Sequence, residues 1–167
     1  LRFSSIGDIV LTAPVVHALR THYGPEARID MVTLNRFKGA ADLIAGLDQI
    51  HTIERSTSEI APTLLDLKFD YLIDLHSNVR SRSLARTLNI MTFKVPKLSA
   101  PRLSLILGMR KKAVEHFVDR SLMLLDPFSI APDLSNPWGH ILSESPSLEL
   151  PNKFIALTPG ASHLGKQ

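Results

Sequence analysis

The chain contains no cysteine, which rules out a disulfide framework, thiol catalysis and a zinc knuckle, and fits a reducing compartment. It also lacks any apolar run near the roughly 18 residues that crossing a bilayer takes, because polar or charged side chains such as Arg102 and Arg110 break the longest candidates. No cationic start leads into an apolar stretch and a small-residue cleavage site, and the first residue is Leu1, so further residues are expected upstream. Aromatic residues make up only 6%. With no recognised nucleic-acid-binding motif, a DNA or RNA partner is the weakest reading of the basic balance. The patterns G-x-G-x-x-G, Gly-Lys-Ser/Thr and G-x-S-x-G are missing, which removes a dinucleotide fingerprint, a Walker loop and a hydrolase elbow. The seven histidines show no H-E-x-x-H spacing and the carboxylates do not cluster, so no protein-ligated metal and no cofactor is expected.

Negative charge is absent over a long stretch. Between Leu75 and Val114 there is no acidic residue, yet Arg80, Arg82, Arg86, Lys94, Lys97, Arg102, Arg110, Lys111 and Lys112 lie there, nine of the nineteen basic side chains. The formal net charge of +3 therefore hides a locally cationic region in a chain of 167 residues whose 44% hydrophobic and 21% charged content is that of a globular domain.

Short β-branched runs alternate with segments of helical period, the order of parallel strands joined by crossover helices, so the fold class is α/β. Strands are expected at 1–3, 28–33, 49–54, 71–75 and 91–95, with helices at 9–19, 37–47, 60–67, 79–88, 102–109 and 114–125. The first domain is expected to span residues 1–126. Pro127, Pro132, Pro137, Pro146 and Pro151 mark 127–152 as a Pro/Ser-rich linker, and 153–167 reads as a strand and turn opening a further unit.

In an open parallel sheet the ligand crevice lies beyond the carboxyl ends of the strands. Three loops there are unusual. In Ser4-Ser5-Ile6-Gly7-Asp8 small residues allow close approach to the backbone, and Asp8 stands where a carboxylate can act as a base; Ser5 or Asp8 serves equally well as a plain helix cap. After Asp74, His76-Ser77-Asn78 leads into Arg80 and Arg82, cations that oppose the dipole of a helix start unless an anion sits with them. Asn78 or Ser77 is a natural N-cap, and a solvated basic face explains the arginines as readily. The turn Thr158-Pro159-Gly160-Ala161-Ser162, with Lys166 behind it, has the makings of a phosphate cradle. His116, on an apolar helical face, reads as a hydrogen-bonded core residue.

The run Phe3 to Leu19, FSSIGDIVLTAPVVHAL, closely resembles the opening of the ADP-heptose:lipopolysaccharide heptosyltransferases. Tyr71-Leu72-Ile73-Asp74-Leu75-His76 is similar to that family's buried strand ending in aspartate, and His116 to Arg120 with Leu122 to Leu125 to its helix before the linker. Pro159-Gly160-Ala161-Ser162 and Lys166 resemble its donor-phosphate turn. The resemblance implies a Rossmann-like parallel sheet flanked by helices, the first half of a two-domain GT-B glycosyltransferase. It implies inverting, metal-independent transfer of heptose from ADP-heptose to the Kdo/heptose inner core of lipopolysaccharide, an acceptor carried on lipid A. Asp8 then matches the general base, Ser5, Gly7, Arg80 and Arg82 belong to the acceptor side, and Ser162 and Lys166 hold the donor phosphates. The implied location is cytoplasmic, peripheral on the anionic inner face of the inner membrane, and the chain as it stands is not expected to turn over without the other half of the cleft. The alternative from the charge pattern alone is a non-catalytic module that binds acidic lipid or another polyanion.

Overall fold

The computed structural model describes residues 1–96 and 115–133. It is a mixed α/β arrangement of parallel strand pairs and helices. Strand β1 (Asp30–Leu34) pairs in parallel with β2 (Gln49–Ile53), and β3 (Tyr71–Asp74) with β4 (Met91–Lys94). The segment 1–3 joins the two pairs: the Leu1 nitrogen donates to the Ile73 carbonyl (2.8 Å), Leu75 N–H donates to the Leu1 carbonyl (3.1 Å), and Arg2 N–H donates to the Val32 carbonyl (3.1 Å). The expected first strand is seen in these three hydrogen bonds, with no regular strand over 1–3. The resulting order, β2, β1, segment 1–3, β3, β4, is compatible with a Rossmann-like unit.

The helices are α1 (Ile6–Val10), α2 (Ala13–Tyr23), α3 (Lys38–Ala41), α4 (Ala61–Asp66), α5 (Val79–Leu88) and α6 (Phe117–Leu122). One helix over 9–19 is expected from periodicity, but two form. Pro14 cannot donate to the Val10 carbonyl, and buried Thr12 turns its hydroxyl onto the Ile9 carbonyl at 2.6 Å, which ends α1. The helix expected over 37–47 shrinks to a 3-10 turn at Asn35–Phe37 and the single turn of α3, and Gly46 with φ +90° carries the chain out of helical geometry before β2. The helix expected over 114–125 is α6 followed by a 3-10 stretch at Met123–Phe128. Pro127 has no N–H for the Met123 carbonyl, which favours the tighter winding. Pro127 and Phe128 thus close a packed turn and Ile130 is buried. His116 is exposed and caps α6, its Nδ1 accepting from Val118 N–H at 3.3 Å, so it is not a core residue. The cap position asks for a side-chain acceptor where the chain is still extended, which places the ring at the surface. The 102–109 helix and the 153–157 strand lie outside the described residues.

Both sides of the sheet are covered. Phe3, Val32, Ile53, Leu64, Leu72 and Leu84 pack in one cluster, Val15, Leu75, Val95, Leu122 and Leu125 in a second, and Ile9, Val16, Met31, Ala41 and Ile44 in a third. Burying parallel strands between helices is what leaves the run Met31 to Leu34 buried without alternation. Among the described residues no helix is long and apolar enough to cross a membrane.

Candidate functional site

The described loops that leave the carboxyl ends of segment 1–3, β1, β2 and β3 lie at one edge of the sheet. The first, after segment 1–3, presents Ser5, Ile6 and Gly7 to solvent, and nothing stands within 4 Å of where a Cβ on Gly7 would lie. Asp8 follows, 37% exposed. Its Oδ2 is held three ways: by the Arg2 guanidinium at 2.6 Å, by Ser5 N–H at 3.1 Å and by the Ser5 hydroxyl at 3.0 Å. The Ser5 N–H contact is the reciprocal half of a capping box, so the capping role is real. Partial burial pushes the Asp8 carboxyl up, but the Ser5 N–H, the Arg2 guanidinium and the Ser5 hydroxyl outweigh it and leave Asp8 below the usual carboxylate range. It is ionised at neutral pH.

The loop after β3 is built around Asp74, which is fully buried. Its Oδ1 accepts from the N–H groups of His76 (3.0 Å) and Ser77 (2.8 Å), while Ser77 adopts φ +56°. Asn78 then caps α5, its Oδ1 accepting from Ser81 N–H (2.8 Å) while Ser81 Oγ accepts from Asn78 N–H (2.9 Å). The turn leaves His76 half-buried with its ring edge-on to Phe3, centroids 5.4 Å apart, and the Arg80 Cζ lies 5.5 Å from the centre of the same Phe3 ring. Burial lowers the His76 pKa, and the nearby charges of Arg2 and Arg80 lower it further against the opposite pull of Asp74 and Asp8. His76 is therefore a neutral ring at pH 7, and those four charges surround it.

Two arginines that the sequence reading passes over join Arg80. A depression of about 380 Å³ is lined by Leu34, Asn35, Arg36, Glu54, Arg55 and Arg80, the ends of β1 and β2 and the first turn of α5. Arg36, Arg55 and Arg80 form no ion pair with a carboxylate among the described residues, and Glu54 is engaged by the Asn35 amide at 2.6 Å. The loop carrying Arg55 is fixed by Glu59, whose carboxylate collects the N–H groups of Glu54 (2.8 Å), Arg55 (2.9 Å) and Ser56 (2.6 Å). Those N–H bonds, with the charge of Arg55, hold Glu59 below its usual range. The available signal was position: Arg36 and Arg55 each come within two residues of a strand end. A slightly larger hollow, about 410 Å³, lies at the amino end of β2 between Lys38 and Ile50, where Lys38 and Asp42 neutralise each other at 2.6 Å. The rule for open parallel sheets and the unneutralised cations both favour the carboxyl edge.

Of the residues singled out from sequence, Ser5, Gly7, Asp8 and Arg80 come to this edge. Arg82 is exposed, with Nε 3.3 Å from the Asn78 carbonyl, and does not line the depression. Ser162 and Lys166 lie outside the described residues. Among the described residues no group of three histidine or carboxylate side chains is arranged to hold a metal ion. Comparisons with protein-family models, with curated proteins and with solved structures find no match to this chain.

Proposed function

We propose that the chain is the acceptor-side, Rossmann-like part of a two-domain GT-B glycosyltransferase that moves heptose from ADP-heptose to the inner core of lipopolysaccharide. The observation that carries this reading is an ionised, solvent-facing carboxylate, Asp8, on the same sheet edge as three arginines without carboxylate partners. An acceptor of phosphorylated lipid and acidic sugars is polyanionic, and Arg36, Arg55 and Arg80 supply the complementary charge. The first residues of α1 and α5, Ile6 and Val79, are apolar and 60% and 74% exposed, which suits an acceptor that is also part lipid. Asp8 takes the proton of the attacking hydroxyl, the new bond forms at the anomeric carbon with inversion, and the diphosphate leaves with its electron pair. Ser162 and Lys166 keep the role the resemblance assigns them on the donor phosphates. The protein works at the cytoplasmic face of the inner membrane, bound to its surface.

Asp8→Asn in the full-length protein is expected to lower turnover of ADP-heptose with a Kdo-lipid A acceptor by on the order of a hundredfold or more while leaving donor binding intact. Unchanged turnover removes Asp8 from the chemistry.

The same unpaired arginines favour a second reading, a binding module for acidic lipid or polyanion without chemistry. In vesicle co-sedimentation, Arg55→Glu with Arg80→Glu is expected to weaken binding to anionic vesicles at least tenfold. If that binding is lost while turnover is absent in the native full-length protein as well, the module reading replaces the transferase.

A further inference from the structure

We propose that Arg2 is a positioning residue for the transfer reaction, holding Oδ2 of Asp8 so that Oδ1 is the oxygen that receives the acceptor proton. This rests on the reading of Asp8 as the general base. Arg2 is anchored on every side: Nε donates to the Ser4 carbonyl (2.7 Å), Nη1 to the Leu75 carbonyl (2.5 Å), Nη2 meets Asp8 Oδ2 (2.6 Å), and Cζ lies 4.9 Å from the centre of the Phe117 ring. The first loop, the end of β3, α1 and α6 thus fix the guanidinium plane, and the side chain is only 13% exposed. A planar fork makes these contacts together, whereas an ammonium makes one or two.

All three donors to Asp8 converge on Oδ2, and Oδ1 has no hydrogen-bond partner among the described residues on a side chain that is 37% exposed. Helix capping accounts for the Ser5 contacts. It does not call for a largely buried arginine, since the carboxylate of a capping box is satisfied by the N–H of the N-cap residue. The charged and titratable groups around Asp8 are Arg2 and, through His76, Arg80 and buried Asp74. In the reaction, the hydroxyl O–H bond breaks toward Oδ1 as the oxygen–carbon bond forms, and the bond from the anomeric carbon to the diphosphate oxygen breaks with its electron pair on the diphosphate. Arg2 lowers the basicity of Asp8 and in exchange keeps it ionised and aimed.

The test is a carboxyl-carbon NMR titration of Asp8 in full-length wild type, Arg2→Gln and Arg2→Lys, beside their pH–rate profiles. Asp8 is expected to titrate below the ordinary aspartate value in wild type and about one pH unit higher in Arg2→Gln. The acid limb of turnover should move with it, and kcat should fall about tenfold or more while donor KM stays within about twofold. Arg2→Lys is expected to keep the titration near that of wild type and still lose turnover, because charge survives and the fork does not. An Asp8 titration that is the same in Arg2→Gln as in wild type overturns the proposal. Should Arg2→Gln fail to fold, wild type decides: Asp8 titrating at about 3.9 or above also overturns it. A titration that moves with no acid limb in turnover overturns the base reading itself, and the proton-receiving half of the proposal with it.

Discussion

Replacing Arg20 by methionine tests how the amino end of the sheet is tied to α2. Its guanidinium donates to the carbonyls of Gly24 (3.0 Å), Ala27 (2.6 Å) and Gly46 (2.9 and 3.1 Å) and lies 2.6 Å from Asp48 Oδ2. Asp48 in turn accepts from Ile29 N–H at 2.6 Å. One side chain therefore joins the end of α2, the loop into β1 and the turn into β2. Methionine keeps most of the aliphatic stem, so the loss is polar. Besides a longer contact to the Pro25 carbonyl at 3.3 Å, these three carbonyls lose a donor worth about 1 kcal/mol each, water partly replacing it at a side chain that is 20% exposed. The half-exposed ion pair adds less than about 1 kcal/mol. The sum is about 3 to 4 kcal/mol, large against the stability of a domain this size. Urea unfolding of the chain measures it, as a fall in midpoint at unchanged slope. Lysine at this position should recover no more than about half, because a point charge cannot reach all three carbonyls. A loss below about 1 kcal/mol for Arg20→Met would refute the clamp and make Arg20 a solvated surface charge.

Two further outcomes follow from burial and titration. Leu84→Ala removes a fully buried side chain from the cluster around Phe3 and Ile53, and is expected to cost about 3 kcal/mol by the same unfolding assay, whereas a cost near zero would mean that α5 does not pack there. Asp8, Asp48 and Glu59 all have folded-state pKa values below their ordinary ones, so the unfolded chain binds more protons between the two values. Their stabilisation is full above the ordinary carboxylate range of about 4 and is lost as pH falls through the depressed values. A midpoint that stays flat from pH 5 to pH 3 would contradict those contacts.

Secondary structure was largely legible where chemistry is local. Asn78 followed by Val79 to Leu88 reads as a capped helix and folds as one, because the Asn78–Ser81 exchange lies within a single turn. Tyr71 to Leu75 reads as a buried strand, and β3 forms there. The break after Val10 was hidden because Pro14 sits where a first-turn proline is also acceptable, and periodicity alone does not say which turn is first. Asp8 was visible as a candidate base from its place after a strand. Arg36 and Arg55 were not, since each stands alone in sequence and acquires a role only beside the other.

Sequence by itself determined the α/β alternation, the Asn78 cap and the local excess of positive charge, all of which depend on neighbours a few residues apart. Tertiary structure decided which charges meet. Arg2 and Leu75 are separated in sequence by three strands, and Arg36, Arg55 and Arg80 each from the next by one, and each set is joined only when the strands align in parallel and bring their carboxyl ends to one edge. Hydrogen-bond register between strands is a long-range property, and no window along the chain contains it.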